Sequence, residues 1–187
     1  VKATVGNYQA IKLRWEPVAW ANRYQIYRST SENGTYSKIK VLYDEDVNDG
    51  NSAQYKDTGL STGQTYYYKI RAVSPYQDKF KYSAYSDIVK ATPVLNIPQI
   101  GLAASTGKIT ISWGKIDGAE GYGIFRSESK DGTYTRVKKV TSGSTLSFSD
   151  TSVKKGKKYY YKVRAFRDVN GTTVKSQFSE VGYKTAK

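Results

Sequence analysis

The sequence predicts an all-β protein made of two consecutive antiparallel sandwiches, and three observations lead to this prediction. One group of residues, from Trp15 to Tyr36, recurs 98 positions later, and a second group, from Asp57 to Ala72, recurs 93 positions later. Apolar and polar residues alternate within the repeated segments, which is the period of a half-buried strand. Clusters of Gly, Asn, Asp and Ser separate the segments and predict turns.

The repeat also predicts the domain boundaries. The fall of the offset from 98 to 93 places a five-residue surplus in the first copy, between Tyr36 and Asp57. We expect domain 1 at residues 1–93 and domain 2 at residues 94–187, each large enough for one core without metal or disulfide support. Pro93 and Pro98 favour an extended backbone at the short junction, so we expect a semi-rigid pair.

Each strand is predicted from the same alternation of apolar and polar residues. Ile11, Leu13 and Trp15 point to one side, whereas Lys12 and Arg14 point to the other. The segments 24–28, 36–41 and 66–72 have the same pattern, and the second copy repeats them. No segment has the period of an amphipathic helix. Short strands with turns at intervals of about 8 to 12 residues are typical of an antiparallel sandwich.

The repeated residues resemble those of the fibronectin type III domain, twice over nearly the whole chain. The shared pattern is a tryptophan, a Tyr-x-Ile pair, and a Leu or Val followed by Gly-x-x-Tyr-x-Tyr-x-[Ile/Val]-x-Ala. The residues of the first copy are Trp15, Tyr24, Ile26, Leu60, Tyr66, Tyr68, Ile70 and Ala72. Those of the second copy are Trp113, Tyr122, Ile124, Val153, Tyr159, Tyr161, Val163 and Ala165. The resemblance implies two tandem seven-stranded antiparallel β-sandwiches of the immunoglobulin-like kind. It also implies that Trp15 and Trp113 fill the cores, and that Tyr66 and Tyr159 form tyrosine corners.

Composition excludes several classes of function. The chain has no Cys, Met or His, so disulfides, thiolate or histidine zinc sites and Ser–His or Cys–His nucleophilic machinery are excluded. We therefore expect no enzyme activity, no catalytic residue and no cofactor. No apolar run approaches the roughly 20 residues that span a bilayer, so we expect no membrane insertion. The absence of an initiator methionine and of a signal sequence suggests a piece of a longer chain.

The charge is strongly basic and uneven. Lys and Arg outnumber Asp and Glu by 13 to 9 in residues 1–94 and by 17 to 7 in residues 95–187, giving +4 and +10. This favours a polyanionic partner, although lysines also keep sheet surfaces soluble. The candidate polyanion patch is a lysine cluster in the turn before the sixth strand of domain 2: Lys154, Lys155, Lys157 and Lys158. No helix or finger motif points to a nucleic acid.

Aromatic residues at one end of domain 1 form a second candidate site. Trp20 stands where the second copy has Gly118, and the segment 76–82 is aromatic and basic. Exposed aromatic rings stack on sugars and on partner proteins, so these rings are a candidate ligand patch. Alternatively, the rings close their own loops or contact a neighbouring domain. The candidate residues are Trp20, Tyr76, Phe80 and Tyr82.

Two further features have a binding and a structural interpretation. The acidic segment 44–50 offers oxygen ligands for Ca²⁺ at Asp44, Asp46 and Asn48, but Asp49 and Tyr55 replace the Gly and Glu that an EF-hand requires. A solvated loop is the alternative. A row of aromatic and basic residues lies on the outer face of the predicted sheet: Tyr27, Tyr67, Lys69 and Arg71, repeated as Phe125, Tyr160, Lys162 and Arg164. The row could contact glycans, or its residues could form stabilising cross-strand and cation–π pairs.

These observations favour a binding or spacing role over catalysis. Similar repeats occur in extracellular proteins of Gram-positive bacteria, beside glycoside hydrolases, cell-wall hydrolases and adhesins. The resemblance therefore implies a secreted or cell-wall-associated, monomeric spacer or interaction module whose partners are neighbouring domains of its own polypeptide. The alternative is an adhesion module that binds polysaccharide or anionic wall polymer through the aromatic tip of domain 1 or the basic surface of domain 2.

Overall fold

The computed structural model describes residues 2–5, 8–43 and 52–187. The chain divides into two compact units, unit 1 at Val1–Pro93 and unit 2 at Val94–Lys187. Every regular element in the described residues is a strand, which confirms the all-β prediction. In the same residues, no helix has the length and apolar character needed to cross a membrane.

Unit 1 contains two antiparallel sheets. Its strands are β1 (Lys2–Val5), β2 (Ala10–Trp15), β3 (Arg23–Ser29), β4 (Ser37–Tyr43), β5 (Ala53–Thr58), β6 (Tyr66–Tyr76), β7 (Lys79–Tyr82) and β8 (Val89–Ala91). One sheet has the order β1-β2-β5, and the other has β4-β3-β6-β7, with β8 also pairing with β6. Because β7 and β8 both pair with β6, they are two segments of one final strand, and the seven-strand arrangement is preserved.

Unit 2 repeats this arrangement. Its strands are β9 (Ile100–Ser105), β10 (Lys108–Trp113), β11 (Gly121–Ser127), β12 (Thr135–Val140), β13 (Ser147–Asp150), β14 (Lys158–Val169), β15 (Thr172–Lys175) and β16 (Gly182–Thr185). Its sheets are β9-β10-β13 and β12-β11-β14-β15, with β16 also pairing with β14. The predicted pair of sandwiches is thus confirmed.

A tryptophan and a tyrosine lie at the centre of each core. Trp15 and Trp113 are 7% and 5% exposed. The Trp15 ring centroid lies 5.4 Å from that of Tyr24, and the Trp113 centroid lies 5.2 Å from that of Tyr122. Edge and tilted contacts of this kind are favourable for aromatic pairs. The predicted core role of both tryptophans is confirmed.

The tyrosine corners are also confirmed. The Tyr66 hydroxyl accepts a 3.0 Å hydrogen bond from the Ser61 backbone N–H, and the Tyr159 hydroxyl accepts one of 3.0 Å from the Lys154 N–H. Each bond ties the turn before the long central strand to the start of that strand. Both turns contain a glycine with positive φ, at Gly63 and Gly156.

Serine side chains maintain the hydrogen bonding of β6 where the final strand of unit 1 is interrupted. Ser83 donates its N–H to the Ala72 carbonyl at 3.0 Å and accepts the Ala72 N–H on its hydroxyl at 2.9 Å. Ser86 forms the same pair of bonds with Ile70, at 2.8 and 3.1 Å. The hydroxyls therefore replace the backbone carbonyls of a regular strand.

Unit 2 has the same serine bridges, 93 residues later. Ser176 exchanges two bonds of 3.0 Å with Ala165, and Ser179 exchanges bonds of 2.8 and 3.0 Å with Val163. This S-x-x-S feature was not predicted from the sequence. Its recurrence at the offset of the second repeated group was the signal that could have found it.

Candidate functional site

The aromatic residues predicted as a ligand patch are all exposed, but they do not form one surface. Trp20 lies in the turn between β2 and β3, 51% exposed, while Tyr76, Phe80 and Tyr82 are 50%, 47% and 49% exposed. The predicted loop around 76–82 is a hairpin of β6 and β7. Since neighbouring strand residues point to opposite sides, Phe80 and Tyr82 share one face of the hairpin and Tyr76 lies on the other.

A cation already covers each aromatic ring of this hairpin. The Arg23 guanidinium lies 4.4 Å from the Phe80 ring centroid, and the Lys81 ammonium lies 3.4 Å from the Tyr76 centroid. Tyr82 has the Arg71 guanidinium at 4.3 Å. A ring whose face carries a cation has less surface for stacking on a sugar. Trp20 is therefore the strongest remaining member of the patch.

Three lysines of the cluster lie in the turn before β14, Lys158 is the first residue of that strand, and two of the four are engaged. Lys157 forms a 2.5 Å ion pair with Glu128, and the Lys158 ammonium lies 5.1 Å from the Tyr183 ring centroid. The Lys157 ammonium lowers the pKa of the Glu128 carboxyl. Lys154 and Lys155 are exposed on the same turn.

The candidate Ca²⁺ loop at Asp44, Asp46 and Asn48 lies outside the described residues. Tyr55, in the position of the missing EF-hand Glu, belongs to β5. Within residues 2–5, 8–43 and 52–187, no group of three or more Asp or Glu side chains could hold a metal ion. No cofactor site follows from the geometry of these residues.

On the outer face of unit 1, cations alternate with aromatic rings. The Lys69 ammonium lies 4.6 Å from the Tyr36 centroid and 4.2 Å from the Tyr85 centroid. The Arg71 guanidinium lies 5.2 Å from Tyr85 and 5.5 Å from Tyr27. This arrangement supports the structural interpretation of the row, because the cations already stabilise the rings.

A small polar network fixes Arg71 in this row. Its Nε donates to Oε1 of Gln25 at 2.8 Å, and its Nη2 donates to the Tyr27 hydroxyl at 3.0 Å. The Tyr27 hydroxyl in turn donates to Oε1 of Gln25 at 2.9 Å. Burial, more than any neighbouring charge, raises the pKa of Tyr27. Arg71 is thus held against the sheet by two acceptors.

Unit 2 repeats the aromatic row without this network. The Lys162 ammonium lies 4.2 Å from both the Tyr134 and Phe178 ring centroids. The Arg164 guanidinium lies 4.7 Å from Phe178 and 5.2 Å from Phe125. Gly123 occupies the place of Gln25, and Phe125 has no hydroxyl, so both acceptors that hold the arginine in unit 1 are missing.

An ion pair between a partly exposed arginine and a buried aspartate joins the two sheets in each unit, and it was not predicted from the sequence. Arg28 on β3 donates from Nη1 to both carboxylate oxygens of Asp57 at the end of β5, at 3.1 and 2.9 Å. Tyr68 on β6 donates its hydroxyl to the same carboxylate at 2.8 Å. Burial and this hydrogen bond raise the pKa of Tyr68. Both oxygens of the Asp57 carboxylate therefore already accept hydrogen bonds from the chain itself.

The equivalent group in unit 2 has the same geometry. Arg126 donates to Asp150 at 2.8 Å, and Tyr161 donates to it at 2.9 Å. Burial raises the pKa of Tyr161 as well. All three residues recur at the two repeat offsets, which was the signal that could have revealed a structural role.

A cavity of about 630 Å³ opens beside the core of unit 1, where Trp15, Tyr24 and Ile70 contribute to its wall. Among the described residues, the Trp15 indole N–H has no hydrogen-bond partner, and the same is true of the Trp113 indole N–H in unit 2. An unpaired indole is therefore a property of both copies and is not evidence of a ligand in this cavity.

Comparison with protein families supports the fibronectin type III resemblance. Residues 97–184 match a family model described as "Fibronectin type III domain SaeA third domain". The chain also resembles solved structures across nearly its full length. It matches a two-domain fibronectin type III segment of chicken tenascin at 19% identity and a TM-score of 0.54, over 98% of this chain and 96% of that one. It matches the chicken interferon gamma receptor alpha chain at 12% identity and a TM-score of 0.60, with the same coverage.

Relatives at higher identity are much longer proteins. Amylopullulanase of Thermoanaerobacterium saccharolyticum is 40% identical over 70 residues, 37% of this chain and 5% of that protein. Exoglucanase B of Cellulomonas fimi is 31% identical over 155 residues, 79% of this chain and 12% of that protein. The chain thus spans only a small part of each of these relatives.

Proposed function

This chain is a tandem pair of fibronectin type III domains, and we propose that it is a non-catalytic spacer and interaction module of a larger secreted or cell-surface bacterial protein. One observation carries the proposal: most of the chain aligns with only 12% of an exoglucanase, as a module of a larger enzyme would. The fibronectin type III fold is in general a non-catalytic module.

The arrangement of buried charge agrees with a mechanical role. In each unit, an arginine, an aspartate and a tyrosine join the two sheets in a closed group. A catalytic pair of carboxyl groups needs a defined separation around an accessible bond. These aspartates instead are 4% and 2% exposed and already paired. The neighbouring domains of the parent polypeptide are the partners that this proposal requires, and the module acts as a monomer outside the cell.

A linker exchange in the parent polypeptide tests the spacer role. Residues 1–187 are replaced by a Gly/Ser linker of equal length, and the neighbouring catalytic or adhesive domain is assayed on soluble and on insoluble substrate. We expect unchanged activity on soluble substrate and reduced activity on the insoluble one, because a flexible linker does not hold a fixed spacing. Replacing unit 1 with a second copy of unit 2 is the matched control and retains activity. Equal activity of the linker variant on both substrates would refute the proposal.

A second function, binding of insoluble polysaccharide, is favoured by Trp20. This ring is 51% exposed, and among the residues that the structure describes no cation lies over its face, in contrast to the three hairpin rings. Co-sedimentation of the chain with bacterial cell walls and insoluble polysaccharides across a salt series tests it. Retention that survives high salt and disappears in Trp20→Ala supports stacking on sugars. Tyr183→Ala, an exposed aromatic of unit 2 at 59%, is the control and retains binding.

Retention that salt abolishes in all variants would indicate binding by charge alone, through cations such as Lys154 and Lys155. If the chain is not retained under any condition, the polysaccharide function is excluded and the spacer role remains.

A further inference from the structure

Unit 2 has an open cavity on its outer sheet face, beside Gly123. The cavity has a volume of about 160 Å³. Gly123 lies in its wall at the position of Gln25, whose side chain in unit 1 accepts a hydrogen bond from the arginine of the central strand. Bulk water occupies about 30 Å³ per molecule, so this space holds about five waters or a small hydrated ion.

Four cations line this cavity: Arg136, Lys139, Arg164 and Lys175. Two of the corresponding positions in unit 1 are uncharged, Val41 and Tyr82, so the cation cluster is specific to unit 2. In the part of the chain that the structure describes, none of the four forms an ion pair with a carboxylate. Like charges gathered without counterions repel each other, and a bound anion relieves this repulsion.

The remaining wall consists of rings and one hydroxyl. Phe125 and Phe166 form its apolar part, and Thr173 lies at the rim. The Thr173 hydroxyl donates to Oδ1 of Asp168 at 2.5 Å. This carboxylate is not part of the lining, and it is a single negative charge beside four positive ones. The net charge facing the cavity is therefore positive.

Arg164 is the residue best placed to recognise the anion. In unit 1, the equivalent Arg71 donates to Gln25 and Tyr27. In unit 2, Gly123 and Phe125 offer no side-chain acceptor, and within the described residues the Arg164 side chain forms no hydrogen bond. A guanidinium with unused donors binds phosphate and related oxyanions through paired N–H groups.

We propose that this cavity, the Gly123 site, binds a tetrahedral oxyanion, phosphate or sulfate, with Arg164 as its principal ligand. The site is separate from the predicted lysine cluster, since Lys158 and Arg164 are six residues apart on β14 and thus about 20 Å apart along the strand. The proposal does not depend on the spacer function and is not needed for it.

Nuclear magnetic resonance titration of the full chain with inorganic phosphate tests the site. We expect saturable shifts of the Gly121 and Gly123 amide signals, with inorganic sulfate acting similarly. Sodium chloride and sodium acetate at the same ionic strength and pH do not reproduce them, because they only screen the surface charge. The Gln25 amide in unit 1 stays unperturbed and serves as an internal control. Shifts that do not saturate, or that chloride or acetate reproduces, would overturn the proposal.

Two variants locate the binding. Gly123→Gln introduces the residue of unit 1, and its Cβ would lie 3.0 Å from Cε2 of Phe125, so a small ring movement accommodates it. We expect this variant to lose the saturable response. Gly121 is unsuitable for substitution, because a Cβ there would clash with the Val140 carbonyl oxygen.

Lys175→Gln removes one charge without filling the cavity, and we expect weaker binding. Lys155→Gln changes the net charge equally in the lysine cluster and leaves binding unchanged. Equal binding by Gly123→Gln and the parent chain, or equal effects of the two lysine variants, would contradict the assignment. Repeating the titration with a phosphodiester polymer distinguishes two sources of the phosphate. A polymer ligand binds more tightly than free phosphate, because it makes multiple contacts, whereas a site for the free ion shows no such gain.

Discussion

The hydroxyl of Tyr68 donates a 2.8 Å hydrogen bond to a carboxylate oxygen of Asp57, across the interior of the sandwich. The same carboxylate accepts both hydrogen bonds from Arg28. Two strands of one sheet are thereby joined to the last strand of the other. Because the aspartate is 4% exposed, its removal leaves buried groups without partners.

We predict that Asp57→Ala lowers the free energy of unfolding of unit 1 by roughly 2–3 kcal/mol, because two donors to a charged group lose their acceptor. Arg28 is about a third exposed, and water partly replaces its lost bonds. Urea denaturation of the isolated unit measures the change. Asp78→Ala, at the exposed hairpin, is the control and changes stability by less than about 0.5 kcal/mol. A cost for Asp57→Ala as small as that of the control would show that the ion pair is not stabilising.

Alkaline pH should destabilise both units. Burial raises the pKa of Tyr68 and Tyr161 in the folded chain, whereas an unfolded tyrosine ionises near pH 10. Above about pH 10 the unfolded chain releases protons that the folded chain retains. The contribution of these tyrosines to the free energy of unfolding is therefore fully present below that pH and falls as the pH rises.

Urea midpoints measured from neutral to strongly alkaline pH test this. Tyr68→Phe has no hydroxyl to ionise, so the pH dependence of unit 1 becomes shallower, although its stability at neutral pH also falls. An equally steep decline in Tyr68→Phe would show that other groups cause the alkaline unfolding.

The serine bridges should protect the central strand from hydrogen exchange. Ser179→Ala removes the acceptor of the buried Val163 N–H. We expect the free energy of unfolding to fall by about 1–3 kcal/mol and the hydrogen exchange of that amide to become faster. Ser149→Ala, whose hydroxyl bonds to Thr110 at the surface, is the matched control. Unchanged exchange at Val163 would mean that water satisfies its N–H equally well.

We also propose that residues 1–93 and 94–187 fold as independent domains. Each unit has its own tryptophan core, its own tyrosine corner and its own inter-sheet ion pair. Expressed separately, each should unfold cooperatively, with a midpoint close to that of the corresponding transition in the full chain. Failure of either fragment to fold would place essential contacts beyond the boundary at Pro93.

Much of the fold could be predicted from the sequence because the same residues occur twice at fixed offsets. The tryptophans, the tyrosine corners and the strand alternation all follow from local pattern. The end of β6 does not follow from local pattern. The alternation predicts a strand that ends at Ala72, whereas in the structure the strand continues to Tyr76. Pairing with β7 causes this extension, and β7 looks like a loop in the sequence because none of its residues is buried.

The candidate sites were less predictable, because they depend on what a side chain contacts. The sequence identifies Tyr76, Phe80 and Tyr82 as exposed rings, but only the structure shows a cation over each one. The Gly123 site combines a position without a side chain with aromatic and basic neighbours. Comparing the two copies at Gln25 and Gly123 would have indicated a difference, but not an open cavity.

The interrupted final strand also affects how the chain behaves beside other β-proteins. A continuous edge strand offers a row of free N–H and carbonyl groups on which another chain can add a strand. Here Ser83 and Ser86 donate their hydroxyls to the carbonyls of Ala84 and Asp87, at 2.6 and 2.9 Å. These acceptors are therefore occupied within the chain. Two similar sandwiches in one polypeptide risk pairing at their edges during folding, and this interruption disfavours such misassembly and the aggregation that follows from it.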